Sequence, residues 1–535
     1  MTNQAPPLVD YDVFSADRAL REAVLRYDGE AAVDGLETLG ARAGSAQAQR
    51  WGVEANAHPP VLRTHDRYGN RVDEVDFHPS WHELLRVAVG AGLHAAPWAP
   101  DADKAAHLRR AAGFLVWSQV EAGHGCPVSM TYAAVPALRT DPALAAEWEP
   151  RLRATSYDGR LGEPGSKPGC LAGMGMTEKQ GGSDVRANTT RAQPLVSDST
   201  GGEYSLTGHK WFCSAPMSDV FLVLAQAADG LTCFVVPRVL DDGSHNVFRI
   251  QRLKDKLGNR SNASAELELD GTWARRLGPE GRGVPTIIEM VTMTRLDCVL
   301  GSTALMRQAV AQATHHATYR SAFGSRLVDK PLMRNVLADL AVETEAATAL
   351  AMRLAAAFDR DERDLRRLAV AVGKFWVCKR APLVVGEALE CLGGNGYVEE
   401  SGLPRLYREA PLNSIWEGSG NVSALDVLRV LQREPAAVAA FVAECELGRG
   451  ADPRLDTALD RLPEMLSSAS EAGARRVAEQ MALVLQGSLL ARHAPTYVGD
   501  AFCASRLAGD WGRAPGTLPP GLDTAAIVAR ARPSV

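Results

Sequence analysis

Long apolar runs are missing from the 535-residue sequence, and no stretch is apolar enough to cross a lipid bilayer. The N-terminus also lacks a basic region followed by an apolar run, so we expect no secretory signal. The nine cysteines are scattered and include no CxxC pair, which argues against a disulfide framework and against a cysteine metal site. These absences predict a cytoplasmic protein without membrane attachment and without a bound metal.

An excess of basic residues is missing as well. Lys and Arg number 58 against 64 Asp and Glu, which gives a formal net charge of −6. The chain as a whole therefore offers no electrostatic argument for nucleic-acid binding, although a local basic groove remains compatible with this charge. Hydrophobic residues make up 46% of the sequence, which is ordinary for a globular protein, and the length is that of several domains.

Hydrophobic periodicity changes along the chain. Residues 1–170 have apolar positions at helical spacing between Pro/Gly turns, and we expect only helices there. Over 171–277, short apolar or alternating runs separated by Gly, Asp and Asn predict strands. Helical spacing resumes over 278–433, and an Ala-rich helical segment fills 434–535. The order is helical, then β, then helical, with a helical appendix, which predicts an α+β protein.

The stretch Asn413–Asn421, NSIWEGSGN, places a carboxylate between a tryptophan and a flexible Gly-Ser-Gly. Acidic residues are favoured at helix N-termini, so Glu417 is a candidate first-turn acid of the helix that follows. The other interpretation is a general base held over a substrate. The stretch alone leaves both interpretations open.

Two stretches of the predicted β region suit a flat or anionic ligand. In Met174–Asp184, Thr177 and Ser183 supply hydroxyl groups, and two consecutive glycines let the main chain approach a ligand closely. A plain glycine-rich hairpin is the alternative. In Gly208–Ser214 an aromatic side chain and Ser214 could face a flat cofactor, although aromatic residues in strands usually belong to the core.

Six motifs in this order resemble those of the acyl-CoA dehydrogenase family of flavoproteins. MTEKQGGSD is similar to the family's T-E-x-x-x-G-S-D flavin loop. GHKWFCS is similar to its G-x-K-x-W-I-T-N strand, with Phe212 at the tryptophan position and Ser214 at the threonine that contacts flavin N5. KLGNRSNAS resembles the strand that leads out of the family's β-domain.

The other three motifs lie in the helical part that follows. RSAFG (Arg320–Gly324) and CLGGNGY (Cys391–Tyr397) resemble the R-x-x-F-G and Q-x-x-G-G-x-G-Y motifs, which contact the FAD of a neighbouring subunit. SIWEGSGN resembles the Y-E-G-T segment that carries the family's catalytic glutamate. The resemblance covers roughly residues 111–431.

This resemblance implies the acyl-CoA dehydrogenase fold. It has an N-terminal helical domain over 1–170, a middle β-domain over 171–277, a C-terminal four-helix bundle over 278–433 and, here, an additional helical domain over 434–535. It also implies FAD, an acyl-CoA or related small acyl substrate, and a homotetramer built as a dimer of dimers. The expected function is that of an FAD-dependent acyl-CoA dehydrogenase.

The chemistry implied by the resemblance needs a carboxylate that takes an α-proton while flavin N5 takes the β-hydrogen as hydride. Glu417 matches that carboxylate. Some members carry the base on the helix that contains TMTRLD, where this sequence has Thr294, which cannot act as a base. Arg429 is implied to point toward the active-site cavity, where pairing with Glu417 would lower its basicity and weaken the activity. The implied cofactor contacts are Met174, Met176, Thr177, Gly182, Ser183, Phe212, Cys213, Ser214, Arg320, Phe323, Gly393, Gly394, Ile415, Trp416, Gly418, Ser419, Gly420 and Asn421.

The N-terminal region and the appendix resemble a branch of the family that belongs to the response to DNA alkylation. That resemblance implies an alternative function, a flavoprotein that binds double-stranded DNA with little or no dehydrogenase turnover; a non-enzymatic FAD-containing assembly is a third. Residues 436–535 contain ten Arg and no Lys against eleven Asp and Glu, a net charge of 10 − 11 = −1. Because DNA affinity comes largely from basic residues, this balance disfavours DNA binding and slightly favours subunit packing for the appendix.

Overall fold

The computed structural model of the protein describes residues 3–195 and 202–534. Its helices, in chain order, are α1 (Arg18–Asp28), α2 (Val33–Gly44), α3 (Ala46–Ala57), α4 (Pro79–Gly90), α5 (Ala106–Ser118), α6 (Gly125–Leu138), α7 (Pro142–Leu152), α8 (Gly283–Tyr319), α9 (Pro331–Asp359), α10 (Arg363–Cys391), α11 (Leu403–Glu409), α12 (Gly420–Arg433), α13 (Pro435–Glu446), α14 (Pro453–Ser467), α15 (Ala474–His493), α16 (Thr496–Phe502) and α17 (Thr524–Ala531). Within the described ranges, no helix has the length and apolar character needed to span a membrane.

The strands are β1 (Val61–His65), β2 (Arg71–Asp76), β3 (Ala172–Gly175), β4 (Arg191–Pro194), β5 (Glu203–Ser214), β6 (Val220–Ala227), β7 (Gly230–Pro237), β8 (Arg249–Leu253), β9 (Ser264–Leu277), β10 (Ser321–Ala322) and β11 (Ser325–Arg326). The chain divides into two compact units. The helical unit comprises Met1–Gln49, Lys104–Val120 and Arg295–Val535, and the β-unit comprises Arg50–Asp103 and Glu121–Thr294. The four consecutive domains expected from the sequence stay a prediction.

One sheet of seven strands forms the centre of the β-unit. Its order is β3-β6-β4-β5-β9-β7, with β8 paired to β9, and β6 also pairs with β7, so the strand path closes on itself. Strand β3 runs parallel to β6, whereas β5 and β9 form a long antiparallel pair. The side chains inside this barrel-like sheet form one buried apolar cluster that includes Phe221, Phe234, Phe248 and Cys213.

The N-terminal 170 residues are not wholly helical, and the expectation of helices alone was wrong at one place. Strands β1 and β2 form an antiparallel hairpin, with Val61 opposite Asp76. Its turn is closed by Asp66, whose carboxylate accepts hydrogen bonds from the main-chain N–H groups of Tyr68 and Asn70 at 2.8 and 2.9 Å. An aspartate that binds the main chain two residues on, followed by Gly-Asn, is a typical turn signal that outweighs the helical spacing on either side.

In the helical unit, the long helices α9 and α10 pack on each other and on α12, α13 and α15. Buried ion pairs join the appendix to these helices. Arg506 pairs with Asp339 and Glu343 of α9, and Arg530 pairs with Glu345 of α9 at 2.9 Å. Because a buried guanidinium is stable only with its acidic partners, these contacts fix the appendix to the bundle within the helical unit.

Candidate functional site

Glu178 organises the loop Met174–Asp184 of the β-unit. Its buried carboxylate accepts hydrogen bonds from the main-chain N–H and the hydroxyl groups of Thr189 and Thr190 at 2.6 to 3.1 Å, and from the Gln180 side chain at 3.0 Å. The ammonium group of Lys210 on β5 lies 2.8 Å from the same carboxylate and also donates to the Leu224 carbonyl at 2.7 Å. The loop is therefore tied to strands β5 and β6 through one buried ion pair.

The electrostatics of this pair favour its charged form. Burial alone would raise the pKa of Glu178, but the Lys210 charge and the hydrogen bonds hold that pKa well below its usual range. Burial lowers the pKa of Lys210, and the Glu178 carboxylate opposes this shift. The sequence motif was read for its hydroxyls and glycines, and the structural role of its glutamate was missed.

The tip of the same loop presents main chain and hydroxyl groups. The hydroxyl of Thr177 lies so close to Gly182 that a Cβ added to the glycine would be 2.5 Å from Thr177 Oγ1. Only glycine fits at this position without displacing the threonine. The predicted contact residues of the loop differ in exposure: Met174, Met176 and Thr177 are partly buried, whereas Gly182 and Ser183 are exposed.

The end of strand β5 carries three more predicted cofactor contacts, and they face different ways. Phe212 is 51% exposed, and the Lys254 ammonium lies 4.6 Å from its ring centre. The Ser214 hydroxyl lies 3.3 Å from that of Ser264. Cys213, in contrast, is buried in the apolar cluster of the sheet, where burial raises the pKa of its thiol to about 12. Because this side chain is buried inside the sheet, the contact predicted for Cys213 would come from its main chain.

In the helical unit, a buried lysine and a partly buried arginine hold the main chain of the segment Asn413–Asn421. Lys374 of α10 donates to the carbonyl of Trp416 at 2.9 Å and to that of Gly418. Arg295 of α8 donates from Nε to the carbonyl of Glu417 at 3.0 Å. Three consecutive carbonyls are thus bound from two helices.

Glu417 adopts a left-handed main-chain conformation, with φ of +56°, and Gly418 follows with φ of +100°. The N-cap of α12 is Ser419, two residues later, and the first turn of that helix holds no acidic residue. The interpretation of Glu417 as a first-turn acid is therefore wrong. A non-glycine residue in this conformation costs about 1–3 kcal/mol, and such residues cluster at functional sites.

Arg429 is exposed in the helical unit. Its side chain is 60% exposed, and its nearest acidic partner is Asp426, at 3.5 Å. The expectation that a buried Arg429 pairs with Glu417 is wrong, because this residue lies on the face of α12 opposite the buried one. Arg295 donates to the main-chain carbonyl of Glu417 and also pairs with Asp426 at 2.6 Å.

Neither Arg295 nor Lys374 was found from the sequence. Lys374 is 1% exposed and lies in the apolar run LAVAVGKFWVC of α10. A lysine within an otherwise apolar helical run was the available signal, since lysine is almost never fully buried without a partner.

The two segments expected to contact a neighbouring subunit's FAD lie on the surface of the helical unit. The hairpin of β10 and β11 carries Phe323, which is 98% exposed and has φ of +49°. Arg320 donates a hydrogen bond to the main-chain carbonyl of Asn3. Gly393 and Gly394 are exposed at the end of α10, as is Tyr397, at 83%.

The remaining predicted contacts surround Glu417. Trp416 donates from its indole N–H to the Asn413 side chain at 2.9 Å, which orients the ring. Ile415 and Asn421 are exposed, Gly418 and Ser419 are partly buried, and Gly420 is buried. Taken unit by unit, hydroxyls, glycine amides and exposed aromatic faces are the groups that suit a flat heteroaromatic cofactor with phosphates, so the residues present fit FAD.

Three family models match successive parts of the chain. The Adaptive response protein AidB N-terminal domain matches residues 3–159. The Acyl-CoA dehydrogenase middle domain matches residues 173–272, and the Acyl-CoA dehydrogenase C-terminal domain matches residues 281–432.

Two curated relatives and one solved structure extend along most of the chain. AidB of Escherichia coli (strain K12) is 46% identical over 507 residues, which are 94% of this chain and 93% of the relative. Acyl-CoA dehydrogenase family member 11 of Caenorhabditis elegans is 32% identical, over 89% of this chain and 83% of the relative. The crystal structure of Caenorhabditis elegans ACDH-11 in complex with C11-CoA has a TM-score of 0.87 and 29% identity, and the match covers 94% of this chain and 92% of that one.

These matches confirm the resemblance and the predicted fold class, with helical N- and C-terminal parts around a central β-sheet domain. The chain belongs to the acyl-CoA dehydrogenase family, as an AidB-like member.

Proposed function

We propose that this protein binds FAD and dehydrogenates an acyl-CoA thioester, with Glu417 as the base that removes the α-proton. The observation that carries the proposal is the strained main chain of Glu417, which lies outside any helix. Arg295 binds its carbonyl, and Lys374 binds the carbonyls of the flanking residues Trp416 and Gly418. The relatives' names support the reaction class, and the C11-CoA in the Caenorhabditis elegans structure supports the substrate class.

The proposed cofactor contacts come from each unit. In the β-unit they are the loop Met174–Asp184, the exposed face of Phe212 and the hydroxyl of Ser214. In the helical unit they are the segment Asn413–Asn421 and, toward a second copy of the chain, Arg320 and Gly393. When bound, FAD would supply the acceptor for the hydride that leaves the β-carbon.

The protein's own share of the reaction is a proton transfer. A carboxylate oxygen of Glu417 would form a bond to the α-proton as the α-carbon–hydrogen bond breaks, and the electron pair would move toward the β-carbon. The hydrogen bonds that Arg295 and Lys374 donate to the carbonyls of residues 416–418 hold the main chain from which this carboxylate extends. Because Arg429 is exposed and paired with Asp426, the proposal contains no weakening of the base by that arginine.

A homotetramer, built as a dimer of dimers, is part of the proposal. Phe323 and Tyr397 are 98% and 83% exposed, and large aromatic side chains at such exposure are typical of surfaces that another subunit covers. The nine free, buried cysteines support a reducing, cytoplasmic location.

DNA binding receives less support from the structure than from the resemblance. Half of the ten arginines of the appendix are engaged in ion pairs, which leaves them less able to neutralise phosphates: Arg449, Arg454, Arg492, Arg506 and Arg530. A fluorescence-anisotropy titration with duplex DNA at several salt concentrations tests this alternative. Binding at micromolar protein that weakens steeply with salt would favour it.

The cofactor is tested by the flavin content of the purified protein. We expect one FAD per chain, released by heat and identified by its absorbance and by chromatography, or taken up when FAD is added to flavin-free protein. A protein that binds no FAD after such reconstitution contradicts the proposal.

A further inference from the structure

Lys374 is a buried lysine whose observed hydrogen bonds go to the main chain around Glu417. It lies on α10 and is 1% exposed, and its ammonium donates to the carbonyls of Trp416 and Gly418, the two residues that flank Glu417. Removing an ammonium group from water costs several kcal/mol, so a lysine is retained in such a place only where its hydrogen bonds matter. Here those bonds set the shape of three residues.

That shape is unfavourable without support. Glu417 and Gly418 both have positive φ, and a non-glycine residue at +56° must be held by its surroundings. The segment has no regular secondary structure to do this, since the 3-10 turn before it ends at Ser414 and α12 begins at Gly420. The side-chain donors from α8 and α10 therefore replace the main-chain hydrogen bonds that a helix or strand would supply.

Arg295 binds the carbonyl of Glu417, the middle one of the three, but it also forms an ion pair. Its second nitrogen pairs with Asp426 at 2.6 Å, and Asp426 pairs in turn with Arg367 at 3.0 Å. Replacing Arg295 would therefore disturb an ion-pair network as well as the turn. Lys374 offers the cleaner test, because both of its observed hydrogen bonds end on the segment itself.

We propose that Lys374 is a positioning residue of this protein, which holds residues 416–418 in the left-handed turn from which Glu417 acts on the substrate. The inference rests on the proposed function for its catalytic consequence. The hold on the turn is a property of the protein and can be measured separately. Lys374 donates no proton in the reaction and acts only through the main chain.

The test compares Lys374→Met with the wild-type holoenzyme in two measurements. Hydrogen–deuterium exchange of a peptide that covers 412–423 reports the turn directly, and we expect exchange to be about tenfold faster in the variant. Stopped-flow reduction of the flavin by an acyl-CoA reports the catalytic consequence. We expect the limiting rate to fall about 100-fold, as for a misplaced catalytic group, while the dissociation constant of the thioester changes less than threefold.

Rescue and a matched control separate positioning from general damage. In Lys374→Ala, added propylammonium restores the missing donor and should recover at least part of the rate and of the exchange protection. Lys167→Met removes another buried lysine, which donates to the main-chain carbonyl of Arg160 at 2.7 Å and also pairs with Asp219 at 2.6 Å. This change should leave exchange over 412–423 unchanged. Lys374→Ala without added amine, which also lacks the donor, replaces the Met variant if that one does not fold.

Unchanged exchange over 412–423 in the Lys374 variants overturns the proposal, and so does faster exchange with a wild-type rate of flavin reduction. If no acyl-CoA reduces the wild-type flavin, the proposed function fails instead, and the exchange comparison alone then decides whether Lys374 holds the turn.

Discussion

Arg295 donates a hydrogen bond from Nε to the main-chain carbonyl of Glu417 at 3.0 Å, from a helix more than a hundred residues earlier in the chain. The same guanidinium pairs with Asp426 on α12, the helix that Glu417 precedes. Arg295 thus links α8 both to the turn at Glu417 and to the helix that follows this turn. An acidic residue held this way has a fixed main chain, and it lies two residues before Ser419, the N-cap of α12.

Replacement of Glu417 by Gln should abolish flavin reduction without loss of the cofactor. The amide keeps the size of the side chain but cannot accept the α-proton, and general-base catalysis typically contributes a factor of about 100 to 10,000. We expect the rate of flavin reduction by an acyl-CoA to fall within that range, with FAD content unchanged. Glu400→Gln, at an exposed carboxylate of the same unit, is the control and should react like wild type. A Glu417→Gln protein that reduces its flavin at the wild-type rate would assign the base to another residue.

Replacement of Arg429 by Ala should leave flavin reduction within about twofold of wild type, because surface charge pairs contribute little. Its partner Asp426 keeps two closer partners, Arg295 at 2.6 Å and Arg367 at 3.0 Å. The same rate measurement on Arg295→Met should show a loss of about 100-fold, since that change releases the turn. A large loss in Arg429→Ala, with Arg295→Met unaffected, would reverse these two assignments.

Replacement of Lys210 by Met should destabilise the β-unit and weaken FAD binding together. It leaves the Glu178 carboxylate buried without its cation, which typically costs about 3–5 kcal/mol. The double variant Glu178→Met, Lys210→Met removes both charges and should be more stable than Lys210→Met. Thermal unfolding gives the stability, and titration of flavin-free protein with FAD gives the affinity. Equal FAD affinities in wild type and Lys210→Met would mean that the loop Met174–Asp184 does not contribute to FAD binding.

The free energy of unfolding should depend on pH in part through the ionisation of Glu121 in the β-unit. Burial opposes its ionisation, but hydrogen bonds from His124 and Ser261 lower its pKa to about 2, below the usual value of 4.5. A pKa below that of the unfolded chain stabilises the fold above about pH 4.5, and this stabilisation is lost as pH falls toward 2.

The lowered pKa of Glu121 corresponds to about 3 kcal/mol of pH-dependent stability between pH 5 and pH 2. In Glu121→Gln this part of the pH dependence should be missing, which urea unfolding at several pH values would detect. The same acid-induced loss in wild type and variant would mean that other carboxylates carry it.

The features that the sequence indicates most directly are local ones. Glycine, threonine and serine in MGMTEKQGGSD have their conformational and chemical properties wherever they stand, so the loop was found from its composition. The run of short apolar segments predicted strands between 171 and 277 for the same reason, because alternation and turn residues are short-range signals.

The direction in which a side chain faces was harder to predict, and the expectation of a buried Arg429 was wrong for this reason. Arg429 lies nine residues after Gly420, about two and a half helical turns, and so on the opposite side of α12 from that buried glycine. The apolar spacing of α12 contained this information, but the family resemblance outweighed it. Cys213 follows the alternation of strand β5, in which Phe212 faces out and Cys213 faces the core.

Arg295 and Lys374 could not be found from spacing, because their partners are main-chain carbonyls far away in the sequence. Carbonyl groups are the same in every residue, so a side chain that binds them has no matching residue type to search for. Such contacts become visible only when the fold brings the helices and the turn together.

Anaerobic titration of the purified holoprotein with a panel of straight and branched acyl-CoAs, followed by the oxidised-flavin absorbance band, tests the central claim most directly. If Glu417 is the base of a working dehydrogenase, at least one thioester should bleach the flavin in proportion to the amount added. A flavin that stays fully oxidised with every thioester would contradict the claim, and the turn at Glu417 would then serve to hold the cofactor alone.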